Sequence, residues 1–133
     1  MPPDDAALLQ AARDAATRAY APYSRFRVGA AVRAGDTIYT GCNVENASYG
    51  LAICAERNAI FHAVAAGAPR IDAIALACVD AAPDAPPGSL MPCGACRQVM
   101  AEFAGPDLPV FIDGAGTSRL ADLLPHPFKM TTA

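Results

Sequence analysis

The sequence predicts an α/β fold, an open mixed sheet covered by helices, and three observations carry that expectation. Along the chain the elements read helix, two strands, then helix, strand, helix, strand, an alternation that layers helices on a sheet. The stretch from Ile71 to Val79 is a largely unbroken apolar run, as in a strand buried on both faces. Two Ala-bearing stretches, Cys54 to Ala66 and Gly94 to Phe103, are each followed by a Gly and then a Pro, the punctuation that ends helices. With 133 residues and no linker or repeat, the chain is expected to form a single domain over residues 1–133.

Each element has a local reason. Asp4 or Asp5 caps a first helix that runs to about Tyr20, with Leu8, Leu9, Ala12, Ala15, Ala16 and Ala19 at roughly helical spacing and Pro22 as its stop. Tyr23 to Val32 and Ile38 to Val44 flank Ala34-Gly35-Asp36-Thr37, a tight turn, and read as a hairpin. Asn43, Glu45 and Asn46 then sit at the outgoing end of a strand, where polar groups either face a pocket or form a polar turn of their own. Cys78 lies inside the apolar run and reads as a small core residue. Asp80 to Met91, with Pro83, Pro86, Pro87 and Gly88, is a long surface loop or lid. Leu108 to Asp113 is a further short strand, Asp113 to Gly116 a turn, and Leu120 to Leu124 one helical turn before Pro125.

Composition narrows the function classes. The chain is 53% hydrophobic and 17% charged, with a mean hydropathy of +0.23, which suits a well-buried globule with some apolar surface covered by subunit contacts. Net charge is -3 and the ten basic residues form no run, a poor footprint for binding a nucleic acid polymer. No apolar run approaches the roughly 20 residues of a membrane span. The acidic start, Met1-Pro2-Pro3-Asp4-Asp5, lacks the basic region of a secretory signal, and five cysteines is an odd number. Reduced thiols in a cytoplasmic protein are therefore expected rather than a disulfide framework.

Cys54-Ala55-Glu56-Arg57 and Pro92-Cys93-Gly94-Ala95-Cys96 carry the chemistry. The Cys-x-x-Cys pair alone would suit structural zinc, a redox dithiol or buried thiols. A redox dithiol has no use for a carboxylate two residues from a third Cys. A structural zinc needs a fourth ligand, and Cys42, Cys78, His62 and His126 offer no second short-spaced pair. Three thiolates leave a position for water, the pattern of catalytic zinc, and Glu56 is then the group that moves protons. Three thiolates on one dication also leave net negative charge, which makes the metal a poorer acid. Arg57, three residues after Cys54, is the expected offset as a donor to sulfur; Arg97 is a weaker candidate for the same role. Cys54 and Glu56 fall on nearly opposite sides of a regular helix, so Cys54 is expected at its very start.

These residues, with Tyr23-Ser24-x-Phe26-x-Val28-Gly29-Ala30-Ala31, Gly41-Cys42-Asn43-Val44-Glu45-Asn46-Ala47-Ser48-Tyr49-Gly50 and Pro92-Cys93-Gly94-Ala95-Cys96-Arg97-Gln98, resemble the small, homotetrameric, zinc-dependent cytidine deaminases over nearly the whole chain. The resemblance implies a three-layer α/β/α fold with a mixed central sheet of about five strands. It also implies hydrolytic deamination of cytidine and 2′-deoxycytidine, with zinc on Cys54, Cys93 and Cys96 and with Glu56 as proton shuttle to ring N3 and the departing amine. Asn43 and Glu45 would take the sugar 3′-hydroxyl, the Ala55 backbone would contact the base and Phe26 would pack on the ring. Ala47, Tyr49 and Phe128 would be offered across a subunit interface to a neighbouring pocket. Pro125-His126-Pro127-Phe128 and the long loop before Pro92 depart from the pattern. A deaminase of another heterocycle, of the blasticidin type, is disfavoured by the Asn43-x-Glu45 pair, and a zinc-stabilised binding module by Glu56.

Overall fold

A computed structural model describes residues 3–131. Five strands, β1 (Val28–Ala34), β2 (Thr37–Cys42), β3 (Ala73–Cys78), β4 (Pro109–Ile112) and β5 (Gly116–Arg119), form one sheet in the order β2-β1-β3-β4-β5. β1 runs antiparallel to both its neighbours, β3 and β4 are parallel, and β5 is antiparallel to β4. The helices are α1 (Asp5–Ala16), α2 (Ala55–Ala65), α3 (Gly94–Phe103) and the single-turn α4 (Leu120–Leu123). A parallel pair needs a crossover connection, and α3 supplies it between β3 and β4, while α2 carries the chain from β2 past β1 to β3.

The two-residue side-chain period of the strands sorts the core into two layers. Ala30, Val32, Ile74, Leu76, Val110 and Ile112 face α2 and α3, where they meet Ala59, Ile60, Ala63, Cys96 and Met100. Their neighbours Ala31, Ala73, Ala75 and Ala77 face α1 and meet Leu8 and Ala12. Helices thus cover both faces, giving the three layers. The small residues let helix and sheet backbones approach closely. A Cβ added to Gly29 would lie 1.9 Å from the Ala12 carbonyl oxygen of α1, and one added to Gly41 would lie 2.3 Å from the Ala59 nitrogen of α2.

Several boundaries differ from the sequence expectation. The first helix is capped by Asp4, whose carboxylate accepts from the Ala7 N–H at 2.8 Å, but it ends at Ala16 rather than near Tyr20. Long-range pairing outcompetes helix propensity there: Tyr20 bonds the Asn43 carbonyl and the Glu45 N–H, at 3.0 and 2.8 Å. Pro22 therefore lies beyond the end of the helix and does not set it. The first strand begins at Val28 rather than Tyr23, because residues 22–24 form a turn and Arg25 follows at φ 57. The edge strand β5 has no apolar alternation to announce it; Gly114 and Gly116, at φ 83 and 77, turn the chain into a hairpin with β4.

Candidate metal centre

Cys54 lies immediately before α2 with extended backbone, φ -70 and ψ 154, and Cys93 stands in the same place before α3, φ -68 and ψ 168. Neither side chain caps its own helix. Cys96 follows one turn into α3 and is fully buried. Two helix N-termini, each with unpaired N–H groups and a positive dipole end, are thereby directed at the thiols, which favours thiolate. The Cys54 Sγ lies 3.9 Å from the Cys93 Sγ, which lies 3.3 Å from the Cys96 Sγ. All three sulfurs fall within 4.8 Å of one another. Tetrahedral zinc with Zn–S bonds of about 2.3 Å separates its sulfurs by about 3.8 Å, so the donor set fits zinc.

The Arg57 Nη2 donates to the Cys54 Sγ at 3.5 Å, and its Nε is buried without a partner among the described residues. Cys54 is pulled down to about 5, chiefly by the hydrogen bond that Cys96 offers it, with Arg57 adding to the effect. Cys96 is pushed upward as the donor of that bond and by burial. Arg57 stays charged, its pKa raised by the sulfur it bonds. Arg97 plays no part in this offset, because its Nε and Nη1 donate to the Pro92 and Leu123 carbonyls, both at 2.8 Å. Those bonds turn the guanidinium away from the cluster and tie the start of α3 to α4.

Glu56 is the one charged residue buried in the core among the described residues, 4% exposed in the first turn of α2. Burial raises its pKa above the usual carboxylate range, and the neighbouring Cys54 thiolate adds to the rise. A raised pKa makes the carboxylate a stronger base toward a proton than an exposed glutamate would be. Glu56 borders a cavity of about 190 Å³, lined by Cys54, Ala55 and Cys93 and by Phe26, Val28 and Asn43. A cavity of roughly 150 Å³ already admits a benzene ring, so a six-membered heterocycle fits. Leu76, Cys78, Ser89, Leu90 and Met91 complete the wall. Cys78, expected in the core, is only half-buried and faces this cavity; burial pushes its thiol up to about 11, so it remains protonated. Sequence reasoning did not single out Leu90 and Met91 as wall residues. Their position directly before Pro92-Cys93 was the one signal for them, since a loop that delivers Cys93 brings them along.

The remaining expected site residues divide into two groups. Asn43 lines the cavity, and its carboxamide holds two other lining residues: Oδ1 accepts from the Val28 N–H and Nδ2 donates to the Phe26 carbonyl, both at 2.9 Å. Glu45 accepts from the N–H groups of Tyr23 and Ser24, at 3.0 and 3.1 Å, and from the Ser24 hydroxyl. The Ser24 hydroxyl is the main reason its pKa is lowered. Glu45 lines a neighbouring groove of about 290 Å³ with Tyr23, Ser24, Asn46, Tyr49 and Ala52. Ala47, Tyr49 and Phe128 are exposed and take no part in the thiol-side cavity. The Phe128 backbone is held by the Gln98 side chain, N–H to Oε1 at 3.0 Å and carbonyl to Nε2 at 2.9 Å.

A helix-covered mixed sheet that presents three thiols at two helix N-termini beside a buried carboxylate is the arrangement of a zinc-dependent deaminase, a hydrolase. The chain belongs to the family of the cytidine and deoxycytidylate deaminase zinc-binding region, whose model matches residues 2–112. It is 49% identical over 122 residues to a cytidine deaminase of Mycobacterium tuberculosis, covering 90% of this chain and 85% of that one. With a cytidine deaminase of Halalkalibacterium halodurans it shares 47% identity over 127 residues, 91% of each chain. The crystal structure of cytidine deaminase from Burkholderia pseudomallei superposes with a TM-score of 0.81 at 46% identity, over 95% of this chain and 100% of that one.

Proposed function

We propose that the chain, acting as one domain, deaminates cytidine and 2′-deoxycytidine hydrolytically to uridine and 2′-deoxyuridine with release of ammonia, a reaction of pyrimidine salvage. The observation that carries this reading is the buried Glu56 carboxyl in the same cavity wall as Cys54 and Cys93. Zinc, held by Cys54, Cys93 and Cys96, supplies the Lewis acidity that makes water a nucleophile at neutral pH. Glu56 takes one proton from that water and passes it to ring N3 as the oxygen adds to C4, then takes the proton left on that oxygen and gives it to the amine, which departs as ammonia while C4 becomes a carbonyl. Phe26 packs on the pyrimidine face, and the Ala55 backbone contacts the base. Arg57 draws charge from Cys54 and so limits the electron donation that three thiolates impose on the metal.

Asn43 and Glu45 receive the sugar 3′-hydroxyl. Both have capacity left: Asn43 Nδ2 has a second hydrogen, and the Glu45 oxygens keep lone pairs beyond the bonds they already accept. Both nucleosides carry a 3′-hydroxyl, so the pair accepts either. The working form is a homotetramer in which Ala47, Tyr49 and Phe128 reach a neighbouring pocket. Exposure of 82% at Tyr49, 72% at Phe128 and 64% at Leu51 supports it, since such apolar surface is covered at low cost by a second subunit. The compartment is the cytoplasm, in keeping with five unpaired cysteines. No helix among the described residues is long and apolar enough to cross a membrane.

Metal analysis of the purified protein together with the loss of cytidine absorbance tests the reading. One zinc per chain and turnover of both nucleosides are expected. A zinc-loaded protein that leaves both nucleosides intact would overturn it in favour of another heterocycle or a binding role.

A further inference from the structure

Phe26 and Val28 both line the cavity, and the residue between them is held from two sides. On the β2 side the Asn43 carboxamide takes the Val28 N–H and the Phe26 carbonyl. On the β3 side the Arg27 carbonyl accepts from the Val79 N–H at 3.3 Å, one step past the last ladder pair, Val28 with Cys78. The next acceptor in that ladder is a side chain: the Arg27 N–H donates to Asp80 Oδ2 at 2.8 Å. The Arg27 guanidinium closes on the same carboxylate as a fork, Nε to Oδ2 at 2.9 Å and Nη2 to Oδ1 at 2.8 Å. Asp80 thus accepts three hydrogen bonds from one residue, and its carboxylate, held down to about 2 chiefly by that fork, stays charged at any working pH.

Asp80 is also the first residue of the Pro-rich loop whose far end, Ser89, Leu90 and Met91, forms another part of the cavity lining. The loop meets the sheet at β3 and returns at Cys93, so the fork fixes one of its two ends. From this geometry we infer that Arg27 and Asp80 form a latch that positions the nucleoside-facing wall, Phe26 and Val28 on one side and Ser89 to Met91 on the other. They are positioning residues for substrate binding and do not touch the reacting atoms. The inference rests on the deaminase reading for its ligand but not for its geometry.

Arg27→Ala removes the fork and keeps the backbone bond, whereas Asp80→Ala removes both. Steady-state kinetics with cytidine and amide hydrogen exchange on the full-length zinc-loaded protein separate the possibilities. Expected is a rise in KM of about fivefold for Asp80→Ala and a smaller one for Arg27→Ala, the scale of a partly exposed ion pair. kcat should change less than about twofold, and zinc content should not change, because the side-chain bonds of the fork join Arg27 and Asp80 to each other and reach none of the three thiols. The double variant should be no worse than Asp80→Ala alone, and Asp80→Glu should restore part of the loss. In Asp80→Ala the Arg27 amide and the amides of the 80–91 loop should exchange faster, a result independent of any turnover. A KM within about twofold of wild type with unchanged exchange in the loop would overturn the latch, as would strictly additive effects of the two substitutions. Loss of wild-type turnover would count against the deaminase reading, and the exchange result would still decide the latch.

Discussion

Replacing Gly41 with Ala moves the active site without touching it. Gly41 lies on β2 opposite Ala30, and α2 crosses directly over it. A methyl there would sit 2.3 Å from the Ala59 nitrogen, 2.7 Å from the Asn58 carbonyl carbon and 2.8 Å from the Ala55 oxygen, all backbone atoms of α2. Ordinary contact begins at 3.4 Å, so the helix must retreat by about 1 Å. No rotamer change relieves a clash with backbone, and overpacking of this kind costs about 1–3 kcal/mol. For a chain of this length that corresponds to a fall in Tm of about 4–12 °C. Cys54 stands immediately before α2 and Glu56 lies in its first turn, so the retreat also shifts both against Cys93 and Cys96 at the start of α3. Misplacement by about 1 Å costs on the order of 100-fold in rate. Thermal unfolding and cytidine turnover of Gly41→Ala, read beside Gly105→Ala, provide the assay. An added Cβ at Gly105 meets nothing within 4 Å, and that variant should stay within about 0.5 kcal/mol of wild type. Gly41→Ala matching Gly105→Ala in both Tm and rate would refute the claim that close backbone packing places the site.

Arg57→Ala should keep zinc at one per chain but weaken its retention by about 10–100-fold in competition with a chelator, with a parallel loss of turnover. Unchanged retention and rate would dismiss the charge offset. On the opposite face of the sheet, Arg13 forks onto Asp113 at 2.8 and 3.0 Å, tying α1 to the β4–β5 turn and lowering the Asp113 pKa. A lowered native pKa means that its contribution to stability is complete above the ordinary aspartate value of 3.8 and is lost as pH falls below it. Asp113→Asn should therefore have a lower Tm than wild type at pH 7, and the two should converge on acidification through that range. A difference that grows on acidification would contradict the sign.

Much of this molecule was legible in its sequence because the elements that hold the site are locally specified. α3 runs from Gly94 to Phe103 as read, since the Cys93 start and the Gly105-Pro106 stop are both local signals. Cys54 was placed at a helix start from helical geometry alone, and its backbone is extended there, as that placement requires. The misread parts are those set by distant partners. The end of α1 depends on Tyr20 pairing with Asn43 and Glu45, and the turn at residues 22–24 is held by the Glu45 carboxylate. Neither influence appears in a local window. β5 is an exposed edge with Gly, Thr, Ser and Arg, where burial imposes no pattern. The spacing favours Arg57 over Arg97 as the donor to sulfur, and Arg57 bonds the Cys54 Sγ while Arg97 satisfies the Pro92 and Leu123 carbonyls, partners no local window shows.

The central claim is that a buried carboxyl beside a three-thiol zinc site moves the protons of a deamination, and Glu56→Gln tests it most directly. Gln has nearly the same shape and cannot accept or release a proton at neutral pH, so fold and metal should survive. With one zinc per chain confirmed, cytidine turnover should fall by about 100- to 10,000-fold. A zinc-loaded Glu56→Gln protein that turns over cytidine at the wild-type rate would contradict it.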